Sequence, residues 1–258
     1  MRMNGNVRLI GILVLAMLVL ASVPVGAESI ANQVVISEIQ TDSTEGLGGS
    51  YDDFIELYNP TSVDIDLATV GYRLERWTSG GTKSIVVRFG DTRDATFHGM
   101  GATNTTIAAH GFYLVVDDAT DVSLKAKADA LVTKTFALGD DYAVGLGTGS
   151  MDGPTDEDTI DFVGWGDPYG DLYEGSGAAS NPSEGKSIQR KVNATINEDG
   201  VHGPAWDSNN NDADFFIHSS DPQNTGAEPV LPIPEFSTLI LFSTGLIALA
   251  GYVLLKRR

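Results

Sequence analysis

The middle of this 258-residue chain is built from short runs in which hydrophobic and polar residues alternate. In one of them, Phe112, Leu114 and Val116 are separated by single residues and therefore share one face of an extended strand. Clusters of glycine, asparagine, aspartate and serine separate the runs, as turns separate short strands. The pattern predicts an all-β domain in which two sheets pack face to face. The nine predicted strands are residues 34–40, 53–59, 71–77, 84–89, 111–117, 142–146, 159–165, 186–191 and 213–218.

Helical patterns are weak in this region. Only residues 122–132 carry helix formers at roughly helical spacing, which predicts one short helix or a loop across one end of the domain. Residues 92–106 and 166–185 read as long loops. The short, charged run 186–191 is predicted to be an exposed edge strand.

The N-terminus has the composition of a secretory signal. Arg2 and Arg8 precede an apolar run over residues 9–20, and Val25 and Ala27 fit the small positions before a signal-peptidase site. We predict a signal peptide over residues 1–27 with cleavage after Ala27. An uncleaved N-terminal anchor is the alternative, although the apolar run is shorter than the ~20 residues that a spanning helix needs.

The C-terminus has the composition of a membrane span. Residues 237–255 form an uncharged stretch that would be about 28 Å long as a helix, and basic residues 256–258 follow it. Because positive residues favour the cytoplasmic side, 237–258 is predicted to be a transmembrane helix with a basic cytoplasmic tail. The domain, 28–226, would then lie outside the cell, joined to the helix by a Pro-rich linker and sorting motif over 227–236.

The exported part of the chain is strongly acidic. Five of the 16 basic residues lie in the terminal segments, so the remaining 11 face all 35 acidic residues, which leaves a net charge of −24. Such a charge repels nucleic acid, so no nucleic-acid partner is expected. This negative charge is compatible either with bound cations or with a medium of high salt concentration. There is no cysteine, which excludes disulfides and thiol chemistry, and the four histidines show no zinc-site spacing.

Several segments together resemble the lamin-tail domain family. They include VVISEIQ at 34–40, FIELYNPTSVDIDLATVGYRLER at 54–76, DTIDFVGWG at 158–166 and DSNNNDADFFIHSSDPQNTG at 207–226. The resemblance implies an immunoglobulin-like β-sandwich that serves as a binding or scaffolding module rather than an enzyme. The chain departs from the family pattern by extra residues between Glu75 and His110.

A second resemblance concerns Pro234, Glu235 and Phe236, which precede the C-terminal apolar stretch and the basic tail. This arrangement is similar to the PEF-type sorting signal of archaeal surface proteins. It implies processing by an archaeosortase-like transpeptidase, which cuts near the tripeptide and transfers the protein to a lipid or similar membrane anchor. A plain tail anchor preceded by a chance tripeptide is the alternative.

Two glutamates, Glu38 and Glu56, fall in the middle of predicted strands. A catalytic pair would need a cleft and one raised pKa, as in a hydrolase of envelope polymers. In the structural alternative, which we favour, each glutamate caps a turn or pairs with a basic residue such as Arg73 or Arg190. No catalytic residue is therefore predicted.

One loop is rich in potential calcium ligands. Asp207, Asn209 and Asn211 have the 1-3-5 spacing of a calcium loop, and Asp214 follows, but Asp212 occupies the position where an EF-hand has glycine. A second acidic cluster lies within residues 152–161. Calcium is the only candidate cofactor, and it would make the chain a calcium-dependent adhesion module. The alternative is a solvated turn closed by Asx hydrogen bonds.

The remaining candidates concern glycans. The aromatic residues Trp77, Trp165, Trp206, Tyr169 and Tyr173 form either a sugar-stacking surface or part of the core. Asn104 and Asn193 begin glycosylation sequons. The glycine-rich segment 145–150 lacks the lysine of a phosphate loop and reads as a hairpin turn. The chain is thus predicted to be a membrane-anchored, cell-surface structural or interaction module whose partner is an extracellular protein or glycan.

Overall fold

The computed structural model describes residues 30–41, 52–101, 103–134 and 136–233. The predicted signal peptide, the Pro234-Glu235-Phe236 motif and the C-terminal apolar stretch lie outside these residues. Within them, no helix combines the length and the hydrophobicity that crossing a bilayer requires.

The described residues form thirteen strands and three single-turn helices. The helices are α1 (Leu67–Val70), α2 (Val122–Lys125) and α3 (Asn211–Asp214). The strands are β1 (Val35–Gln40), β2 (Phe54–Tyr58), β3 (Ile65–Asp66), β4 (Arg73–Trp77), β5 (Lys83–Arg88), β6 (Ala95–Phe97), β7 (Thr106–Ile107), β8 (Phe112–Asp117), β9 (Ala130–Val132), β10 (Ala143–Gly147), β11 (Thr159–Gly164), β12 (Lys186–Arg190) and β13 (Phe215–Ser219).

The strands make a two-sheet sandwich, as the alternating pattern predicts. One sheet has seven strands in the order β13-β12-β1-β2-β8-β9-β6, and the other has four in the order β11-β10-β4-β5. The β8–β9 pair is parallel, and the other pairs are antiparallel. Strands β3 and β7 form a separate two-stranded ribbon.

The main core lies between the two sheets. Ile55 and Leu57 of β2 belong to the same buried cluster as Leu74 and Val144 of the four-stranded sheet. The opposite face of β2 is also buried, because Phe54 and Tyr58 belong to two smaller apolar clusters there. Strict alternation would leave one face of each strand in water, but the central strands β1, β2 and β8 are buried on both faces.

Residues 186–191 do form a strand, but the prediction that it lies at the edge of a sheet is wrong. As β12, it lies between β1 and β13, and Ser187, Ile188 and Arg190 are buried. The strand at this edge of the seven-stranded sheet is β13, on which Ile217 is 42% exposed. The charge of Arg190 suggested a surface strand, but this side chain is paired inside the protein.

Two further segments differ from their predictions. Residues 122–132 form only one helical turn, whose start is capped by Asp121 accepting from the Ser123 N–H at 2.7 Å, and then continue as β9. The predicted loop 92–106 contains β6. The loop 166–185 is confirmed, apart from a 3-10 turn at Tyr169–Asp171 and a bridge from Trp165 to Ala179.

The sandwich also extends beyond Gly226, into the segment predicted to be a linker. The Val230 N–H donates to the His110 carbonyl at 2.9 Å, and the Tyr58 hydroxyl donates to the Val230 carbonyl. Ala227 and Val230 pack on the apolar cluster that contains Tyr58. Burial of these side chains explains why the described part of this segment is docked on the domain rather than extended away from it.

Candidate functional site

The two glutamates singled out in the sequence lie side by side. Glu38 on β1 and Glu56 on β2 are direct cross-strand partners on the outer face of the seven-stranded sheet. Each is only 3% exposed. Side chains directly opposite each other in an antiparallel pair have Cβ atoms about 5 Å apart, so the two carboxyl groups share one environment.

The glutamates are covered by a segment that we call the strap, residues 221–231. Three alternate N–H groups of the strap each donate to a different buried carboxyl group of the domain. These bonds are Asp221 N to Glu38 Oε1 (3.2 Å), Gln223 N to Glu56 Oε2 (2.6 Å) and Thr225 N to Asp129 Oδ2 (2.9 Å).

The electrostatics of this row follow from burial. Burial raises the pKa of Glu38, and burial together with the neighbouring Glu38 charge raises the pKa of Glu56 well above its ordinary value. Burial also raises the pKa of Asp129. Hydrogen bonds from Ser37 and the strap act in the opposite direction at Glu56 but are smaller. The row therefore takes up protons at a higher pH than free carboxylates do.

A cavity of about 240 Å³ adjoins the pair. His202 and His218 line it, and each histidine contacts an acid: Asp199 at 2.7 Å and Glu198 at 3.1 Å, respectively. Both carboxyl oxygens of Glu56 and Oε1 of Glu38 accept hydrogen bonds from the protein's own main chain or from Ser37. This arrangement favours the structural alternative, in which the carboxyl groups hold the strap.

The basic partners suggested for these glutamates are wrong. Arg73 pairs with Glu75, and Arg190 pairs with Asp161. The latter pair is fully buried. Arg190 Nη2 donates to both carboxylate oxygens of Asp161, at 2.8 Å to Oδ1 and 2.7 Å to Oδ2. The Arg190 Nε also donates to the Ile36 carbonyl at 2.8 Å, and the Ile36 N–H donates to Asp161 at 2.6 Å. The network thus joins β11 of one sheet to β12 and β1 of the other.

The predicted calcium ligands are engaged in hydrogen bonds of the fold. Asn211 is buried, and its Oδ1 accepts from the Gly164 N–H at 2.8 Å and the Glu174 N–H at 3.1 Å. Asp214 is also buried, and it accepts from the N–H groups of Ser208 and Asn210.

The other two candidate ligands belong to the same turn. Asp207 lies 3.7 Å from Arg190 and accepts from the N–H of Asn209, which has a positive φ of 53°. No group of three His, Cys, Asp or Glu residues in the described ranges is arranged to hold a metal ion. These contacts favour the Asx-turn alternative, and calcium stays a prediction.

The second acidic cluster is a turn as well. Asp156 accepts from the N–H groups of Asp152 (3.1 Å) and Asp158 (2.9 Å), and Asp161 is the buried partner of Arg190. The glycine-rich segment before it is a hairpin. Gly147 is required there because a Cβ would come within 2.5 Å of the Asp158 carbonyl oxygen.

The five aromatic candidates divide between core and surface. Trp77 and Trp165 are 4% and 0% exposed, so the prediction that they belong to a sugar-stacking surface is wrong. Trp206 and Tyr173 are both partly buried. Tyr169 is 58% exposed.

The two sequons also differ. Asn104 is exposed and has a φ of 58°, at the tip of a turn. Asn193 is only 9% exposed, and its Oδ1 accepts from the N–H groups of Thr195 (2.8 Å) and Ile196 (2.7 Å). Asn104 is therefore the accessible sequon. Modification of either residue stays a prediction.

Two packed β-sheets whose buried acids serve internal contacts define a structural β-sandwich module. The family model described as Lamin Tail Domain matches residues 27–167, which is more than half of the chain. The chain belongs to the lamin tail domain family, whose immunoglobulin-like fold is non-catalytic and consistent with a structural or interaction module. Comparison with curated proteins and with solved structures gave no match.

Proposed function

We propose that this protein is exported, anchored at the cell surface and used there as a structural or interaction module. The observation that carries the proposal is membership of the lamin tail domain family by a sandwich whose buried acids bind its own chain. Glu38, Glu56 and Asp129 hold the strap, and Asp161 holds Arg190. Carboxyl groups engaged in this way stabilise the fold rather than catalyse a reaction.

The terminal segments supply the export and anchoring part of the proposal. A basic and then apolar N-terminus predicts secretion, and Pro234, Glu235 and Phe236 precede an apolar stretch and a basic tail. The strap ends directly before this motif in the sequence. In this proposal an archaeosortase-like transpeptidase processes the motif.

The partner in this proposal is an extracellular protein or glycan. The exported part carries 35 acidic residues against 11 basic ones, so anionic polymers such as nucleic acids are repelled. Neutral glycans and proteins with basic surfaces are not subject to that repulsion.

The proposal is tested by labelling intact cells with an amine-reactive reagent that does not cross membranes. We expect the wild-type protein to be labelled before lysis and to sediment with the cells. A variant ending at Ile233 should appear in the medium, because it lacks the anchor segment. The matched variant Pro234→Ala, Glu235→Ala, Phe236→Ala should stay in the membrane with a larger mass. Labelling only after lysis would contradict export.

A further inference from the structure

A second and larger cavity lies away from the glutamate pair. It encloses about 550 Å³ between the turn at residues 152–156 and the segment at residues 170–175. Its lining combines apolar surface with four acidic side chains and one aromatic ring. The lining residues that matter here are Asp152, Asp156, Asp171, Tyr173, Glu174 and Asn209.

Glu174 is the unusual member of this lining. It is 8% exposed, and the only hydrogen bond of its carboxyl group in the described part of the chain comes from Asn211 Nδ2 to Oε2 at a long 3.4 Å. Its Oε1 has no partner there. The backbone is held firmly, because the Glu174 N–H donates to Asn211 Oδ1 and its carbonyl accepts from the Asn211 N–H at 3.1 Å. The carboxyl group is thus fixed at the cavity with its bonding capacity largely unused, which is costly unless a ligand or water completes it.

The protonated carboxyl group of Glu174 can also donate a hydrogen bond. Burial, with a smaller contribution from the charge of Asp161, raises its pKa to about 9. At neutral pH the group is therefore mostly a carboxylic acid, with an O–H to donate and a carbonyl oxygen to accept.

One aromatic ring, that of Tyr173, lines the cavity, and its hydroxyl donates to Asp171 Oδ1 at 3.2 Å. A second ring, that of Tyr169, neighbours the lining in the sequence only. Tyr169 directly precedes the lining residues Gly170 and Asp171, and it is 58% exposed. One side of its ring packs so closely on Gly81 that a Cβ there would come within 2.5 Å of the ring. This contact holds the ring in place and leaves the rest of it open to solvent.

We propose that this cavity binds a neutral polyhydroxylated ligand, an oligosaccharide. The rim carboxylates of Asp156 and Asp171 accept hydrogen bonds from sugar hydroxyls, and Glu174 both donates and accepts at the base. The partly exposed ring of Tyr173, which lines the cavity, offers an apolar surface to the C–H face of a sugar ring. This inference rests on the proposed function as an interaction module and gives that module its ligand class.

Two other ligand classes fit less well. A metal ion finds no group of three suitable ligands among the described residues. A cationic ligand would be attracted by the rim, but Asp152 already pairs with Lys83 at 3.2 Å, and a protonated Glu174 gives a cation no charge to bind.

The test is isothermal titration calorimetry of the full chain, kept in a zwitterionic detergent that has no sugar headgroup. The probes are maltohexaose, cellohexaose and N-acetylchitohexaose, with spermine as the cationic comparison. We expect at least one hexasaccharide to bind saturably with a Kd of about 1 mM or lower, and more tightly than spermine.

Matched variants locate the binding. Tyr173→Ala and Asp171→Asn should each weaken it about tenfold, because each alters one side chain of the lining. Glu174→Gln, which keeps a neutral donor and acceptor, should stay within about threefold of the wild type, whereas Glu174→Leu should abolish binding. Met100→Ala removes an exposed apolar side chain that does not line the cavity, and it should bind like the wild type. Near-ultraviolet circular dichroism identifies any variant that has lost its fold.

The proposal is overturned if none of the three hexasaccharides shows saturable heat up to about 10 mM, or if spermine binds more tightly than all of them. It is also overturned if Tyr173→Ala and Glu174→Leu fold and bind like the wild type. The titration does not depend on where the protein lies in the cell. A negative titration therefore leaves the surface-labelling result intact, and failed surface labelling leaves the titration intact.

Discussion

Glu38 and Glu56 face each other across β1 and β2, almost completely buried, and each accepts a main-chain N–H from the same strap. Two like charges in such a place repel each other and are poorly solvated, so ionisation of the second group is unfavourable. The hydrogen bonds from residues 221, 223 and 225 to Glu38, Glu56 and Asp129 thus fasten residues 221–225 to the sheet.

The first prediction concerns the pH dependence of stability. The pKa of Glu56 is raised in the folded protein, so its contribution is complete below the ordinary carboxyl pKa of about 4.3 and is lost as pH rises through the folded-state pKa. We expect the free energy of unfolding to fall from about pH 5 upwards in the wild type, and to fall less steeply in Glu56→Gln. Urea unfolding at several pH values measures both slopes.

The exposed residue Glu157 provides the control for this experiment. Glu157→Gln should leave the slope unchanged, because its side chain is in water in both states. Equal slopes for Glu56→Gln and the wild type would show that Glu56 ionises in the folded protein as easily as in the unfolded chain.

The second prediction concerns the buried ion pair between the sheets. Arg190→Met or Asp161→Leu alone leaves one buried charge without its partner, and each should lower the free energy of unfolding by about 3–5 kcal/mol. The double variant should recover most of this loss, since apolar side chains of similar size can replace a buried pair. Denaturant unfolding of the four proteins gives the coupling energy directly. Additive losses would mean that the two residues act independently.

The sequence was sufficient for most of the sandwich, and its failures have physical causes. Alternation located β2, β4, β8, β10 and β11 to within a residue or two, because one side of each strand packs in the main core. It located β12 in the sequence but wrongly predicted that this strand lies at the edge of a sheet. Arg190 has the character of a surface residue unless its partner Asp161, 29 positions away, is known. The short strands β6 and β9 were missed because three residues are too few to show a period.

The candidate site was less predictable. The sequence singled out Glu38 and Glu56 but gave no indication that residues 221–225 would cover them, because those contacts join positions more than 160 apart. The asparagine-rich loop resembled a cation site since its residues are all oxygen donors. Asn211 is instead used to bond the main chain of β11 and of Glu174. Glu174 carried no local signal, because its burial depends on the whole loop around it.

The third prediction tests the docking of the strap. Tyr58→Phe removes the hydroxyl that donates to the Val230 carbonyl and should lower stability by about 1 kcal/mol. The amides of Val230 and Gly203, which donate to His110 and Leu231, should exchange faster in this variant than in the wild type. Amide hydrogen exchange provides the measurement, with the Leu57 amide in the core as an internal reference. Unchanged protection of Val230 would mean that the strap is held without this bond.

The fourth prediction distinguishes the two sequons. If the native protein carries N-linked glycans, Asn104 should be occupied and Asn193 should be empty, because Asn193 is buried and its side-chain oxygen holds a turn. Glycopeptide mass spectrometry of protein taken from its native membranes determines the occupancy of each site. A glycan on Asn193 would contradict the structure of this turn.

The central claim, that the chain is an exported module attached through a sorting signal, is tested most directly by the intact mass of the native protein extracted from its own membranes. The account predicts a polypeptide that starts near Glu28 and ends between Pro234 and Phe236, with an added mass the size of a lipid anchor. A mass that still includes residues 1–27 or reaches Arg258 would contradict it, since the chain would then retain its N-terminal segment or its C-terminal apolar segment.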